Sequence, residues 1–135
     1  MSSPARRRKG VAATECALLI PIIFAFTLFT IEICTILFLK EAVTIAAYEG
    51  ARVGIQRGGT DAAVEFRVEE FLTERGIAFS NPVTVADPGF DDAEELENVQ
   101  TTVSVPAQGN LPFGWFFGGL EISAQVTMRK EFANP

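Results

Sequence analysis

Arg6-Arg7-Arg8-Lys9-Gly10-Val11-Ala12-Ala13-Thr14-Glu15 runs directly into an apolar stretch from Cys16 to Leu39, and this junction decides the fold. Four cations end at a glycine. Five residues later a carboxylate stands at the edge of a hydrophobic run, where a charge is costly and usually avoided. The run has the length of a membrane-spanning helix, since about 20 residues at 1.5 Å each cross a hydrocarbon core of roughly 30 Å. Glu32 interrupts it. On the insertion scale a central charge costs about 2.5 to 3.5 kcal/mol, while each Leu, Ile or Phe contributes roughly 0.3 to 0.6 in favour. The Leu, Ile and Phe side chains from Leu18 to Leu39 together outweigh one off-centre glutamate, so the segment is expected to insert.

Orientation follows from the cations. Arg6, Arg7, Arg8 and Lys9 flank one end of the run and Lys40 alone stands at the other. The positive-inside rule puts the N-terminus in the cytoplasm and the chain after Lys40 outside. A secretory signal peptide would have a shorter apolar core ending in small residues, whereas Phe38-Leu39-Lys40-Glu41 ends this one. The 135 residues carry a net charge of −6, distributed unevenly, with 6 basic against 15 acidic side chains over residues 41–135. An acidic exported part is not a nucleic-acid binder, which needs clustered Lys and Arg. Cys16 and Cys34 both lie in the span, roughly 27 Å apart along a helix, and cannot bridge each other. They read as small apolar residues.

Beyond the span, Lys40 to Arg52 contains no proline and is rich in alanine, the best helix former. Ala42, Ala46, Gly50 and Gly54 recur every four residues, a small-residue stripe that lets another backbone approach closely. That stripe can pack on the chain's own domain or on another subunit. Glu49 and Arg52 can pair at i, i+3. Gly58-Gly59 breaks the helix, and Thr60 or Asp61 can cap the next. From Asp61 to Arg75, Val64, Val68, Phe71 and Leu72 form an apolar stripe, and Gly76 is a plausible residue past the helix end. After Asn81-Pro82 the period becomes two, with strands expected over 83–86, 99–105 and 120–128. The fold class is α+β, with a long N-terminal transmembrane helix as a stalk. A short helix packed on a three- or four-stranded antiparallel sheet follows it.

Two loops stand out. Residues 87–97 carry six carboxylates, which could hold Ca²⁺ but match no EF-hand spacing and read as a solvated acidic turn. Leu111-Pro112-Phe113-Gly114-Trp115-Phe116-Phe117-Gly118-Gly119 sets four aromatics in a glycine-rich connection. It either folds back as a lid over the sheet or forms an exposed tip that would mark a partner or membrane contact. With no histidine, both cysteines in the span and no glycine-rich phosphate loop after a strand, no catalytic constellation is present. Neither an enzyme nor a cofactor or small-molecule substrate is expected.

Glu15-Cys16-Ala17-Leu18-Leu19-Ile20-Pro21, then Ile31-Glu32-Ile33, then Ala46-Ala47-Tyr48-Glu49-Gly50-Ala51-Arg52, resembles the TadE-like family. These are pseudopilins or minor pilins of tight-adherence (Flp) pili, within the type IV pilin superfamily. The resemblance covers about the first 55 residues and rests on Glu15, Pro21, Glu32 and the Glu49-Gly50-Ala51-Arg52 motif. Cys16 replaces the usual aromatic after Glu15, and Tyr48 replaces a common arginine. The resemblance implies a basic leader over residues 1–10, cut by a prepilin peptidase between Gly10 and Val11. It implies a transmembrane and stalk helix over 11–57, with the span at about 16–39, and an exported domain over 58–135. It implies assembly with other pilins and inner-membrane pilus proteins, in an inner-membrane single-pass topology with possible entry into the fibre. The freed amine of Val11 lies one turn from Glu15, which is expected to pair with a neighbouring subunit's amine and set axial register. Glu32 lies roughly 25 Å further along and about 100° around the helix, so the two cannot serve one site. It is expected either to meet a polar group on a partner's span or to stand protonated or snorkelling near the outer interface. Pro21 permits a kink. An uncleaved single-span anchor displaying a small binding domain is the competing reading.

Overall fold

A computed structural model of the chain describes residues 4–132, and the side chains from Gly10 to Phe132. The cationic side chains of the expected leader therefore lie outside the described residues. The α+β architecture expected from the sequence is the one observed. Helix α1 spans Pro4–Gly54 without interruption at Pro21, and α2 spans Asp61–Glu74. Strands β1 (Val83–Val85), β2 (Asn98–Pro106) and β3 (Glu121–Arg129) form an antiparallel meander in that order. Residues 55–57, expected as the end of the stalk helix, instead form a turn with Gly58, which adopts φ +78.

Local chemistry explains the element ends. Thr60 is the N-cap of α2, its side chain accepting from the Ala63 N–H at 3.2 Å. This satisfies one of the N–H groups a helix start leaves unpaired. Gly76, at φ +65, takes the left-handed conformation that ends α2. Alternation then builds the sheet's inner face. Val99, Thr101, Val103 and Val105 of β2 are buried, and they pair directly with Met128, Val126, Ala124 and Ile122 of β3. Direct cross-strand partners share a face, so one side of the sheet is apolar.

That face is covered by α1, which lies across β2 and β3, while α2 packs on α1 and reaches β1. Leu39, Val43, Ala46, Ala47 and Ala51 of α1 join Val64, Val68, Phe71 and Leu72 of α2 in a single core. Fully burying each Val or Leu of this set contributes about 1.5 to 3 kcal/mol. The small-residue stripe is consumed here, within the chain. A Cβ added at Gly50 would lie 2.6 Å from Val68 Cγ2, and one added at Gly54 would lie 2.7 Å from the ring of Phe90. Glycine at these positions is what allows α2 and Phe90 to approach the helix backbone so closely. The i, i+3 pair expected between Glu49 and Arg52 is not the contact Glu49 makes. It faces Arg67 of α2 at 3.7 Å, and Arg67 also donates to Glu70 at 2.8 Å, because docking α2 brings a cation nearer than the exposed Arg52.

The acidic loop delivers Phe90 into the core. Asp61 Oδ1 accepts the Phe90 N–H at 2.7 Å, and Asp91 Oδ2 accepts the Asp61 N–H at 3.3 Å. The buried Lys130 donates its Nζ to the Phe90 carbonyl, and its backbone pairs with Leu96 and Glu97. No group of three or more His, Cys, Asp or Glu among the described residues is arranged to hold a metal ion.

Two core substitutions test this packing by chemical denaturation of the full chain in detergent. Gly54→Ala is expected to destabilise by about 1 to 3 kcal/mol, because the added carbon overlaps a buried ring. Thr101→Val is expected to stabilise by about 1 kcal/mol, because the Thr101 hydroxyl is buried without a hydrogen-bond partner among the described residues.

Candidate functional site

The residues singled out from the sequence lie along α1 at three heights. Its lower part, residues 10–27, is exposed along its whole length. Leu18, Ile20, Ile23, Phe24 and Phe26 are all more than half exposed. This is one helix long and apolar enough to cross a membrane. Its hydroxyls are satisfied locally: Thr14 donates to the Val11 carbonyl at 2.7 Å, Thr27 to Ile23 at 2.9 Å and Thr30 to Phe26 at 2.8 Å. Such back-bonding removes the cost of a bare hydroxyl in hydrocarbon. Gly10, Val11 and Pro21 are exposed on this segment. Glu15 is exposed too, and among the described residues nothing donates to its carboxyl group. Both cysteines are free and exposed.

Glu32 occupies the middle height and is 1 % exposed. Its Oε1 accepts the Trp115 N–H at 3.0 Å and its Oε2 accepts the Phe116 N–H at 3.3 Å. Neither a partner's span nor a snorkelling position describes this arrangement, since both oxygens are engaged within the chain. The aromatic loop is thereby drawn down onto α1 rather than over the sheet. Phe29 receives it, edge-to-face with Phe116 at 5.5 Å between ring centroids and tilted against Phe117 at 5.6 Å. Aromatic pairs at such spacing contribute about 0.5 to 1.5 kcal/mol beyond area burial. Trp115 nevertheless stays 73 % exposed, and Phe113 and Phe116 are exposed as well.

The upper height carries Glu49, Gly50, Ala51 and Arg52. Gly50 and Ala51 are buried in the α1–α2 contact, Glu49 faces Arg67, and Arg52 is exposed. The motif thus serves the docking of the chain's own second helix. Just below it, Lys40 donates to the Ser123 carbonyl and ties the helix to the start of β3.

Residues 10–52 match the family model of TadE-like protein. The TadE-like segment begins at Gly10 and ends at Arg52, so it contains the bare apolar helix, Glu32 and the α2-docking motif, and leaves the sheet outside it. The match supports a pilus-associated minor pilin family of the tight-adherence system, whose members are structural components and not known as enzymes. No curated protein and no solved structure matches the chain.

Reading the sequence missed the partners of Glu32 and the role of Lys130. Lys130 continues the even-numbered inward positions Ile122, Ala124, Val126 and Met128 of β3, which is the signal for its burial. Backbone donors such as those of Trp115 and Phe116 leave no comparable mark. Glu32→Ala in the full chain in detergent micelles is expected to speed hydrogen–deuterium exchange at the Trp115 and Phe116 amides by at least about tenfold, since losing the acceptor removes roughly 1.5 to 3 kcal/mol of protection. Unchanged exchange there would show that the loop holds itself in place without Glu32.

Proposed function

We propose that this chain is a TadE-like minor pilin or pseudopilin, a structural assembly subunit of a tight-adherence (Flp) type IV pilus and its secretion machinery. A prepilin peptidase cuts the leader between Gly10 and Val11 at the cytoplasmic face of the inner membrane. The mature chain then stands as a single-pass subunit with its sheet domain exported, and it assembles with other pilins and inner-membrane pilus proteins to support pilus biogenesis and surface adherence.

The observation that carries this reading is the coincidence of three boundaries. The family match starts at Gly10, the cationic cluster stops at Lys9, and the unpartnered apolar surface of α1 begins at Val11. A helix that buries none of its lower surface within its own chain needs lipid, and then sister helices, to cover it. Glu15 fits the register role because nothing among the described residues pairs with it, in contrast to Glu32. Removal of the leader creates an α-amino group on Val11, four residues from Glu15. A carboxylate at the lipid boundary is tolerated mainly when matched, and a neighbouring subunit's amine supplies the match. Glu32 contributes indirectly, holding the aromatic loop against the stalk.

Intact-mass measurement of the protein from cells with and without the peptidase tests the processing step. The expected mature chain begins at Val11 only when the peptidase is present. A chain that keeps residues 1–10 in both strains supports an uncleaved single-span anchor displaying its domain. Glu15→Ala is expected to be processed normally yet to be lost from assembled complexes, read by crosslinking to neighbouring pilins and by a surface-adherence assay.

A further inference from the structure

Residues 111–119 expose Phe113, Trp115 and Phe116 beside the stalk, and their height on it is informative. Their backbone is pinned at Glu32 and their rings lie on Phe29. From Val11 to Thr30 the helix has about 20 residues, which is roughly 30 Å and the thickness of a hydrocarbon core. Cations end immediately below this stretch at Lys9, and the loop meets its upper end, at Phe29 and Glu32. Trp115, 73 % exposed, and Phe116, 56 % exposed, therefore stand where the apolar span meets its outer boundary. Amphipathic aromatic rings collect at this level of a membrane.

We propose that residues 111–119 are a lipid-contacting belt that sits in the outer leaflet of the bilayer, at the boundary of headgroups and acyl chains, and fixes how deep the stalk is seated. The occupant of the exposed Phe113, Trp115 and Phe116 surface is phospholipid, because that surface is continuous with the lipid-facing side of the span. Non-helical backbone at membrane depth is tolerated only where its polar groups are satisfied by protein. Glu32 contributes to this condition by accepting two consecutive N–H groups of the loop. The glutamate that looks anomalous in an apolar run is what permits the loop to lie beside it. Leu37 and Phe38, exposed a turn or two higher, fall in the headgroup layer, and Lys40 clears it to reach Ser123. The belt places the hydrocarbon-spanning segment nearer residues 11–30 than 16–39, which seats Glu15 about one helical turn inside its cytoplasmic edge. It rests on the reading of α1 as a membrane span.

Trp115 is the single tryptophan of the chain, so its fluorescence reports on the loop alone. The full chain is reconstituted in vesicles of phosphatidylethanolamine and phosphatidylglycerol, with bromine placed on the acyl chains near the headgroup or near the bilayer centre. The expected result is a blue-shifted emission, strong loss of signal with the shallow bromine, weaker loss with the deep one, and little loss with iodide on both sides of the membrane. Emission open to iodide and indifferent to bromine overturns the proposal. So does protection from both quenchers, which would mean that protein rather than lipid covers the loop. Alkaline extraction of the same vesicles separates this from the span itself. A chain that stays in the membrane pellet while Trp115 remains open to iodide overturns the belt and leaves the span standing, whereas a chain that washes out overturns both.

Discussion

The upper half of α1 has to be core and the lower half has to be surface, and one continuous helix meets both demands by changing side-chain size. Below Leu39 its apolar residues are large Leu, Ile and Phe, most of them exposed. Above Lys40 Ala and Gly predominate beside Val43, Ile45 and Val53, and the buried ones press against α2, the sheet and Phe90. Large side chains meet lipid well without specific partners, whereas small ones let a second backbone approach and bury area through contact distance. The domain could not close on a helix that kept its lower composition throughout, because Gly50 and Gly54 leave no room for a β-carbon. The rest of the domain hangs from that close approach.

Polar groups follow the same logic of depth. The threonines of the lower helix bond to their own preceding turn, which needs no partner. Glu32, where the domain first touches the stalk, is saturated by two backbone amides of a loop that is distant in sequence. Glu49, at the top, is half-solvated and shares Arg67 with Glu70, an arrangement that solvent screening keeps weak. Glu15, on the apolar lower helix, has no internal partner among the described residues. An acidic residue at the edge of an apolar span that the fold does not satisfy has to be satisfied by something else, and assembly with a second chain offers that.

The matched family segment carries the apolar helix, Glu32 and the α2-docking motif, but not α2, the sheet or the aromatic loop that complete them. The burial of Gly50 and Ala51 gives the motif a structural purpose within one chain.

Much of this was legible from residues alone. Two distinct periodicities, 3.6 over Asp61 to Arg75 and 2 over residues 99–105 and 120–128, announced α2 and the last two strands, because amphipathic elements must align their apolar side chains with a single core. The long apolar helix was legible from its length and composition despite Glu32, and the capping Thr60 and terminating Gly76 from their backbone chemistry. What sequence could not decide was pairing between distant groups. Glu32 lies on the same face of α1 as the buried Leu39, Val43 and Ala46, a hint of internal burial, yet its donors are main-chain N–H groups that every residue owns. Whether the small-residue stripe faced its own domain or a neighbour, and whether Glu49 met Arg52 or Arg67, also waited on the docking of α2. Periodicity is a local property of the chain and is written in its order, whereas a contact between residues far apart depends on how finished elements pack, and only the tertiary structure decides that.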